Sequence, residues 1–221
     1  MQHHPLPRSL LSSAGVAIRH LDLHCCRLGL PNNPYSPVQT LQHVEYLSLS
    51  DVIISEMALH RMIEVSLPYI TSLVIGMKFM NGEELRKTIH ILNLFKYLQH
   101  LEILCFYFGL NSEVGYVDWE MVSETAICQN KHLTHVQLRG YSATVGELDF
   151  ARCLIVRAQS LRSMDISHSV DLTPEDISRQ TESICRLGKA SPLAQLFFTR
   201  SADSGYKRRK EARFLDRVTM L

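Results

Sequence analysis

One short apolar pattern recurs along this chain and constrains its fold more than any other feature. Written Φ-x-x-Φ-x-Φ, with Φ an apolar residue, it begins at Ile18, Val44, Ile70, Leu98, Leu133 and Leu161. Successive copies are 26, 26, 28, 35 and 28 residues apart. The last two apolar positions of each copy are separated by one residue, so their side chains point to the same side of an extended backbone. Each copy therefore predicts a short strand with one buried face.

The segments between the copies carry helical periodicity. The stretches 55–69 (SEMALHRMIEVSLPY) and 82–98 (GEELRKTIHILNLFKYL) place apolar residues three or four positions apart, which is typical of a helix with one buried side. Two pairs have the spacing of a helix capping box, Asn81 with Glu84 and Thr144 with Glu147. The chain thus predicts an alternation of strand, loop and helix.

The period and the pattern are those of leucine-rich repeats. The copy from Ile18 to Leu28 fills every position of the longer form L-x-x-L-x-L-x-x-(N/C)-x-L. One strand-helix unit cannot bury its own apolar side, so consecutive units stack and share a core. We expect an α/β fold, a right-handed β/α horseshoe in which about six parallel strands line a concave surface and helices cover the convex back.

The same pattern divides the chain into four segments. We interpret residues 1–17 as the remnant of a preceding repeat and 18–170 as the repeat domain, with a surface loop at 109–118. Residues 171–198 form a C-terminal cap, in which Thr173-Pro174 starts a helix over 174–187 and 193–198 is a last strand or cap. Residues 199–221 form a basic tail, interpreted as a flexible, solvated terminus or as a nuclear-import signal.

Composition narrows the classes of function. The chain has 23 Lys and Arg against 22 Asp and Glu, which lacks the basic excess of a nucleic-acid binder. No apolar run is long enough for a membrane span, and the amino terminus lacks a secretory pattern. The six cysteines form no C-x-x-C pair, and several fall at positions that a repeat would bury. We expect a protein of the cytoplasm or nucleus that binds neither nucleic acid nor membrane.

Three consecutive segments carry a family resemblance. They are His132 to Gly140, then Tyr141 to Arg152 with Gly146-Glu147-Leu148 at a helix start, then Ala158 to Ile166. Together they resemble the FBD segment that closes the leucine-rich-repeat region of plant F-box proteins, and we place the FBD-like segment at about 131–170. The copies from 18 to 108 are similar to the repeat region of that family.

The resemblance implies a function in protein recognition. In the family, the F-box joins a Skp1-like adaptor of a ubiquitin ligase, and the repeats are thought to select the substrate. Nothing upstream of Ile18 could supply the helical bundle of an F-box. The chain is therefore expected to bind a protein substrate or partner on the concave face, with a Skp1-like adaptor as partner only for a longer form that carries an F-box. The alternative is a truncated remnant with no partner of its own.

The residues that alternate with the strand leucines are the candidate binding residues, since alternation turns them to the open side of the sheet. We single out His20, Asp22, His24, Tyr46, His100, Glu102, His135, Gln137, Arg139 and Asp165. The richest cluster is His100, Glu102, His135, Gln137 and Arg139. It has two interpretations, a patch that reads charge and hydrogen bonds on a partner, or ordinary solvated strand residues. Trp119 either anchors a partner or pins its own loop.

Signs of catalysis are absent from the sequence motifs. There is no G-x-S-x-G elbow, no phosphate-binding G-x-x-x-x-G-K-S/T loop and no H-E-x-x-H. His20, His24 and Cys25-Cys26 look like metal ligands on paper, but alternation separates the histidines from Cys26. We therefore expect a non-enzymatic protein without a cofactor or a metal.

Overall fold

A computed structural model describes residues 4–5, 18–24, 26–27, 41–50, 63, 67, 69–77, 79, 92–105, 131–168, 172–186 and 188–200. In chain order its elements are β1 (His4–Pro5), β2 (His20–His24), β3 (Cys26–Arg27), β4 (Tyr46–Ser50), β5 (Ser72–Met77), β6 (His100–Cys105), β7 (His135–Tyr141), α1 (Val145–Arg157), β8 (Ser163–His168), α2 (Pro174–Cys185) and β9 (Gln195–Arg200). Residues 92–94 are also helical. The chain is therefore an α/β protein.

Seven of the strands form one sheet in which every pairing is parallel. The order is β2-β4-β5-β6-β7-β8-β9, so each strand lies beside the next strand of the repeat pattern. The prediction of a parallel sheet built from the apolar copies is confirmed, with seven strands instead of about six. The seventh, β9, extends the sheet where a last strand or cap was expected. It continues to Arg200, two residues into the segment interpreted as tail.

Strand register aligns the apolar motif across the whole sheet. Its fourth position pairs in succession through Leu21, Leu47, Leu73, Leu101, Val136, Met164 and Leu196. Its sixth position does the same through Leu23, Leu49, Ile75, Ile103, Leu138, Ile166 and Phe198. Away from the two edge strands these side chains are buried, and they belong to one hydrophobic core. Fully burying each of them stabilises the fold by about 1.5–3 kcal/mol, which is why the register is held.

A repeated hydrogen bond aligns the strands where they begin. The carbonyl of Thr71 accepts from the backbone amides of both Gln99 and His100, at 2.8 and 2.9 Å. Glu45 and Gln99 accept two amides from the following strand in the same way. The hydroxyl of Thr134 adds a bond to the carbonyl of Gln99 at 3.1 Å. These bonds thus fix where each strand begins relative to the strand before it.

Helix α1 covers the apolar side of the sheet. Its capping box was predicted correctly, since the Glu147 carboxylate accepts the Thr144 amide at 2.9 Å and the Thr144 hydroxyl accepts the Glu147 amide at 3.3 Å. Phe150 is buried against Phe79, with the ring centroids 5.3 Å apart. Gly146 lets the helix start approach Phe79 closely, because a Cβ there would lie 2.5 Å from the Phe79 carbonyl oxygen.

Helix α2 begins where the sequence indicated. Thr173 and Asp176 form a capping box with Pro174 in the first turn, and the helix ends at Cys185, two residues before the expected end. Arg152 of α1 ties the two helices together, since it donates to the Ser183 carbonyl at 3.0 Å and to the Ser183 hydroxyl at 2.8 Å. The segment interpreted as a cap thus contains a helix docked on α1 and a strand that continues the sheet.

Several predictions concern residues outside the described part of the chain. They are the capping pair Asn81 and Glu84, most of the helix at 55–69, the loop at 109–118, Trp119, Cys25 and the tail beyond Arg200. Of the segment 1–17, His4–Pro5 is described, and it pairs in parallel with β3.

The close contact at Gly146 yields a stability prediction. Alanine normally stabilises a helix relative to glycine, but here its Cβ would collide with the Phe79 backbone. We expect Gly146→Ala to lower the free energy of unfolding by about 1–3 kcal/mol, measured by urea denaturation. Val145→Ala, at the exposed neighbouring position, serves as control and should change it by less than about 0.5 kcal/mol. An increase in stability for Gly146→Ala would contradict the contact.

Candidate functional site

The side of the sheet opposite the leucines, here called the polar face, is built from three aligned rows. The first row reads His20, Tyr46, Ser72, His100, His135, Ser163 and Gln195 from β2 to β9. The second row reads Asp22, Ser48, Val74, Glu102, Gln137, Asp165 and Phe197. The third row contains Gly76, Leu104, Arg139, Ser167 and Thr199. Alternation along each strand places these residues between the buried positions.

Nine of the ten residues singled out from the sequence lie in these rows. Four are in the first row, four in the second, and Arg139 is in the third. His24 ends β2, and its side chain is outside the described part of the chain. The predicted cluster of five residues on β6 and β7 is brought together by direct pairing of His100 with His135 and of Glu102 with Gln137.

Aromatic side chains stack along the first row. The rings of His20 and Tyr46 have centroids 5.0 Å apart and planes 26° from parallel. The rings of His100 and His135 are 4.7 Å apart and 18° from parallel. Neighbouring strands lie about 4.8 Å apart, so the sheet itself sets these stacking distances. Between the two stacks the first row holds only the small side chain of Ser72.

An ion pair joins the second and third rows. Arg139 Nε lies 2.9 Å from Glu102 Oε1, and the Arg139 guanidinium also donates to Gln137 at 3.4 Å. The Glu102 side chain is 23% exposed, against 52% for Arg139. The Glu102 carboxylate is therefore less exposed to solvent than the guanidinium that neutralises it.

Burial shifts the ionisation of this cluster. Desolvation raises the pKa of Glu102, and the nearby Arg139 charge only partly lowers it. Desolvation, followed by the neighbouring His135, lowers the pKa of His100, so its imidazole is neutral at pH 7. Burial raises the pKa of Tyr46, as do the carboxylates of Glu102 and Asp22. The tyrosine hydroxyl therefore stays protonated and faces a negative electrostatic environment.

A surface cavity of about 210 Å³ lies over the middle of the polar face. Its lining side chains come from five strands and include Tyr46, Ser72, Val74, His100, Glu102, His135, Gln137 and Asp165. Six of these were among the candidate residues, whereas Ser72 and Val74 were not. The prediction singled out rings, charged groups and an amide, whereas the cavity also lies over the small side chain of Ser72. A small residue flanked by Tyr46 and His100 at the same repeat position is the signal that could have found it.

The described residues show no sign of a metal centre or a membrane span. No group of three or more His, Cys, Asp or Glu side chains in the described ranges could hold a metal ion. Likewise, none of the helices seen in this part of the chain is long and apolar enough to cross a bilayer.

Comparison with known proteins adds no relative. No family model matches the chain, no curated protein matches it, and no solved structure matches it. The likeness to plant F-box proteins stays a prediction that rests on the residues named above.

The Glu102–Arg139 pair makes a testable prediction about ionisation. The pKa of Glu102 is raised, so between its unfolded and folded values the folded chain binds more protons, and stability falls as the pH rises through that window. Removing the cation in Arg139→Gln should raise the pKa of Glu102 further. Carboxyl chemical shifts followed through a pH titration measure this.

The control is Arg19→Gln, which removes a charge from a more exposed ion pair, that of Arg19 with Glu45 at 3.6 Å. It should leave the titration of Glu102 unchanged. If Arg139→Gln also left it unchanged, the ion pair would not exist in solution.

Proposed function

We propose that this chain is a leucine-rich-repeat solenoid whose polar face recognises a protein partner, as the substrate-binding repeats of plant F-box ubiquitin-ligase receptors are thought to do. The single observation that carries the proposal is the polar face itself, with its three rows of side chains aligned strand by strand. The proposed role is recognition without catalysis. A Skp1-like adaptor enters the proposal only for a longer form that contains an F-box.

The solenoid interpretation is supported by local structure that repeats with the sequence. Before β4, β6 and β8 the chain makes the same turn, in which the first motif residue donates its amide to the carbonyl three residues earlier. These residues are Val44, Leu98 and Leu161, with distances of 3.1, 3.3 and 3.2 Å, and before β9 a similar bond comes one motif position later, from Ala194 to Ser191 at 3.2 Å. The same turn, strand and register in several units is what stacking of equivalent repeats requires.

Recognition of a protein is supported by the size and chemistry of the face. Seven strands separated by about 4.8 Å span roughly 29 Å, a width comparable to a protein–protein interface of standard size. The face combines rings at Tyr46 and His100 with charges of both signs at Glu102 and Arg139. Aromatic and arginine side chains are the types enriched at binding hot spots.

The absence of catalysis is proposed from the form of the site. The cavity lies on the face of the sheet, where bulk water would compete with a reacting group. Glu102 is engaged by Arg139, and the ring of His100 is stacked on that of His135. These contacts support a surface that presents hydrogen bonds and charge to a partner.

Affinity capture with matched ion-pair variants tests the proposal. The full chain is immobilised, and proteins retained by it are compared with those retained by Glu102→Ala/Arg139→Ala. The control variant, Arg19→Ala/Glu45→Ala, removes a second cross-strand ion pair, which lies at the strand starts outside the cavity. A specific partner should bind the wild type and the control equally and the test variant at least about tenfold more weakly.

Two results would contradict the proposal. One is a set of retained proteins that is the same for all three forms of the chain. The other is retention of chaperones alone, which would favour the alternative, a truncated remnant without a partner of its own.

A further inference from the structure

A slot is open in the first row of the polar face. Four of five consecutive positions in that row carry rings, arranged as the stack of His20 on Tyr46 and the stack of His100 on His135. Ser72 occupies the remaining position, between the two stacks. The strands that carry Tyr46 and His100 are two spacings apart, about 9.6 Å, so the rings stand as walls on either side of a gap one side chain wide.

The floor and the far end of the slot differ in chemistry. Its floor is Val74, which follows Ser72 on the same side of β5 and is 8% exposed. At the end, Glu102 pairs with Val74 in the second row, so its carboxylate group borders the apolar floor. The slot is thus aromatic on two sides, aliphatic below and anionic at one end.

The charges around the slot favour a cation. Among the described residues that line the whole cavity around it, the charged ones are Glu102 and Asp165, and both are acids. Asp22 acts on Tyr46 from β2, and Arg139 approaches from β7 to hold Glu102. His100 is neutral near pH 7 and does not repel a cation. One arginine therefore stands against three carboxylates on this part of the face.

We propose that this slot binds the side chain of a lysine or arginine carried by an exposed segment of the partner protein. This inference rests on the proposed function and names the chemistry that the polar face selects. The aliphatic stem lies over Val74 between the rings, the cationic head reaches the carboxylate of Glu102, and the face of Tyr46 adds a cation–π contact.

Other occupants fit less well on physical grounds. An acidic side chain would place its charge against Glu102, in a cavity that Asp165 also lines. An apolar side chain would remove more water from the Glu102 carboxylate and return no charge to it, at a cost in free energy. Only a long side chain with a cationic end satisfies the rings, the floor and the carboxylate together.

Binding of capped heptapeptides to the full chain tests the inference. The probe carries one central lysine among serines and glycines, and the reference peptide carries norleucine, which keeps the length of the side chain and removes the charge. Titrations followed by amide chemical shifts should show the lysine peptide binding at least about tenfold more tightly than the norleucine peptide. Shifts should concentrate at Ser72, Val74 and Glu102.

Substitutions with opposite expected signs sharpen the test. Glu102→Gln should abolish the preference for lysine, whereas Glu182→Gln, which removes an equal charge from the exposed side of α2, should preserve it. Arg139→Gln should tighten binding of the lysine peptide several-fold, because Glu102 loses the cation that already neutralises it. A general loss of structure would weaken binding in every variant and cannot produce this increase.

The shape of the slot is tested separately. Ser72→Tyr fills the gap and should abolish binding of both peptides, whereas Ser163→Tyr places the same ring two strands beyond His100 in the same row and should leave binding intact. Equal affinity for the lysine and norleucine peptides would overturn the inference, as would equal weakening by Glu102→Gln and Glu182→Gln.

The basic tail of the chain is a competing occupant. In the full chain with Lys207, Arg208, Arg209 and Lys210 all changed to Gln, binding of the lysine peptide should equal that of the wild type. If the lysine peptide bound this variant but not the wild type, the slot of the wild type would be occupied by the chain's own tail, and the inference of a partner's side chain would be overturned.

The outcomes separate this inference from the proposed function. If a partner depends on Glu102 and Arg139 but the lysine peptide fails to bind, the recognition function stands and the slot hypothesis fails. If the peptide binds selectively while capture detects no partner that depends on the pair, the proposed function fails and the slot retains its ligand chemistry.

Discussion

Shared burial of the motif leucines between neighbouring strands is the interaction on which the rest of this structure depends. Leu73, for example, is buried only because Leu47 on one side and Leu101 on the other occupy the same register. A slip of one residue would turn the whole apolar set toward solvent. Every strand would incur this penalty, so the parallel register is specified at each pairing. The register in turn fixes the position along the strand of every residue on the polar face.

The chemistry of the polar face is a consequence of this register. Pairing brings His100 onto His135 and Glu102 within reach of Arg139, although 35 and 37 residues separate the partners along the chain. The same regular spacing leaves Glu102 too close to Val74 and its neighbours to be fully hydrated, which raises its pKa despite the adjacent arginine. The electrostatic character of the site is therefore set by strand pairing rather than by any local motif.

Sequence reasoning predicted the elements whose causes are local or periodic. Alternation predicted β2 and β4 to β8, and the caps at Thr144 and Thr173 predicted two helix starts, because a cap needs only residues within one turn. The seventh strand was only half recognised, although Leu193, Leu196 and Phe198 fill the motif; the structure leaves Leu193 exposed and buries the neighbouring Ala194. Contacts such as Gly146 against Phe79 were beyond reach, because they depend on how a distant helix docks.

The candidate site was predictable in membership but not in form. Nine of the ten residues that alternation singled out lie on the polar face, and none of their contacts had to be known. The depth of the polar face depends on the volumes of the side chains in its rows. A search for charged and aromatic residues does not identify a position where the side chain is small. Ser72 has a small side chain, and Val74 is nearly buried, so neither side chain fills the cavity that they line.

Equal strand spacing has a consequence for how such a surface changes over time. Each row position is carried by its own strand, and its side chain makes few demands on the buried leucines beneath it. An exchange at one position therefore alters one point of the surface and leaves the neighbouring points in place. Single substitutions on the polar face can therefore change which partner is bound, in small steps, while the buried core of the sheet stays the same.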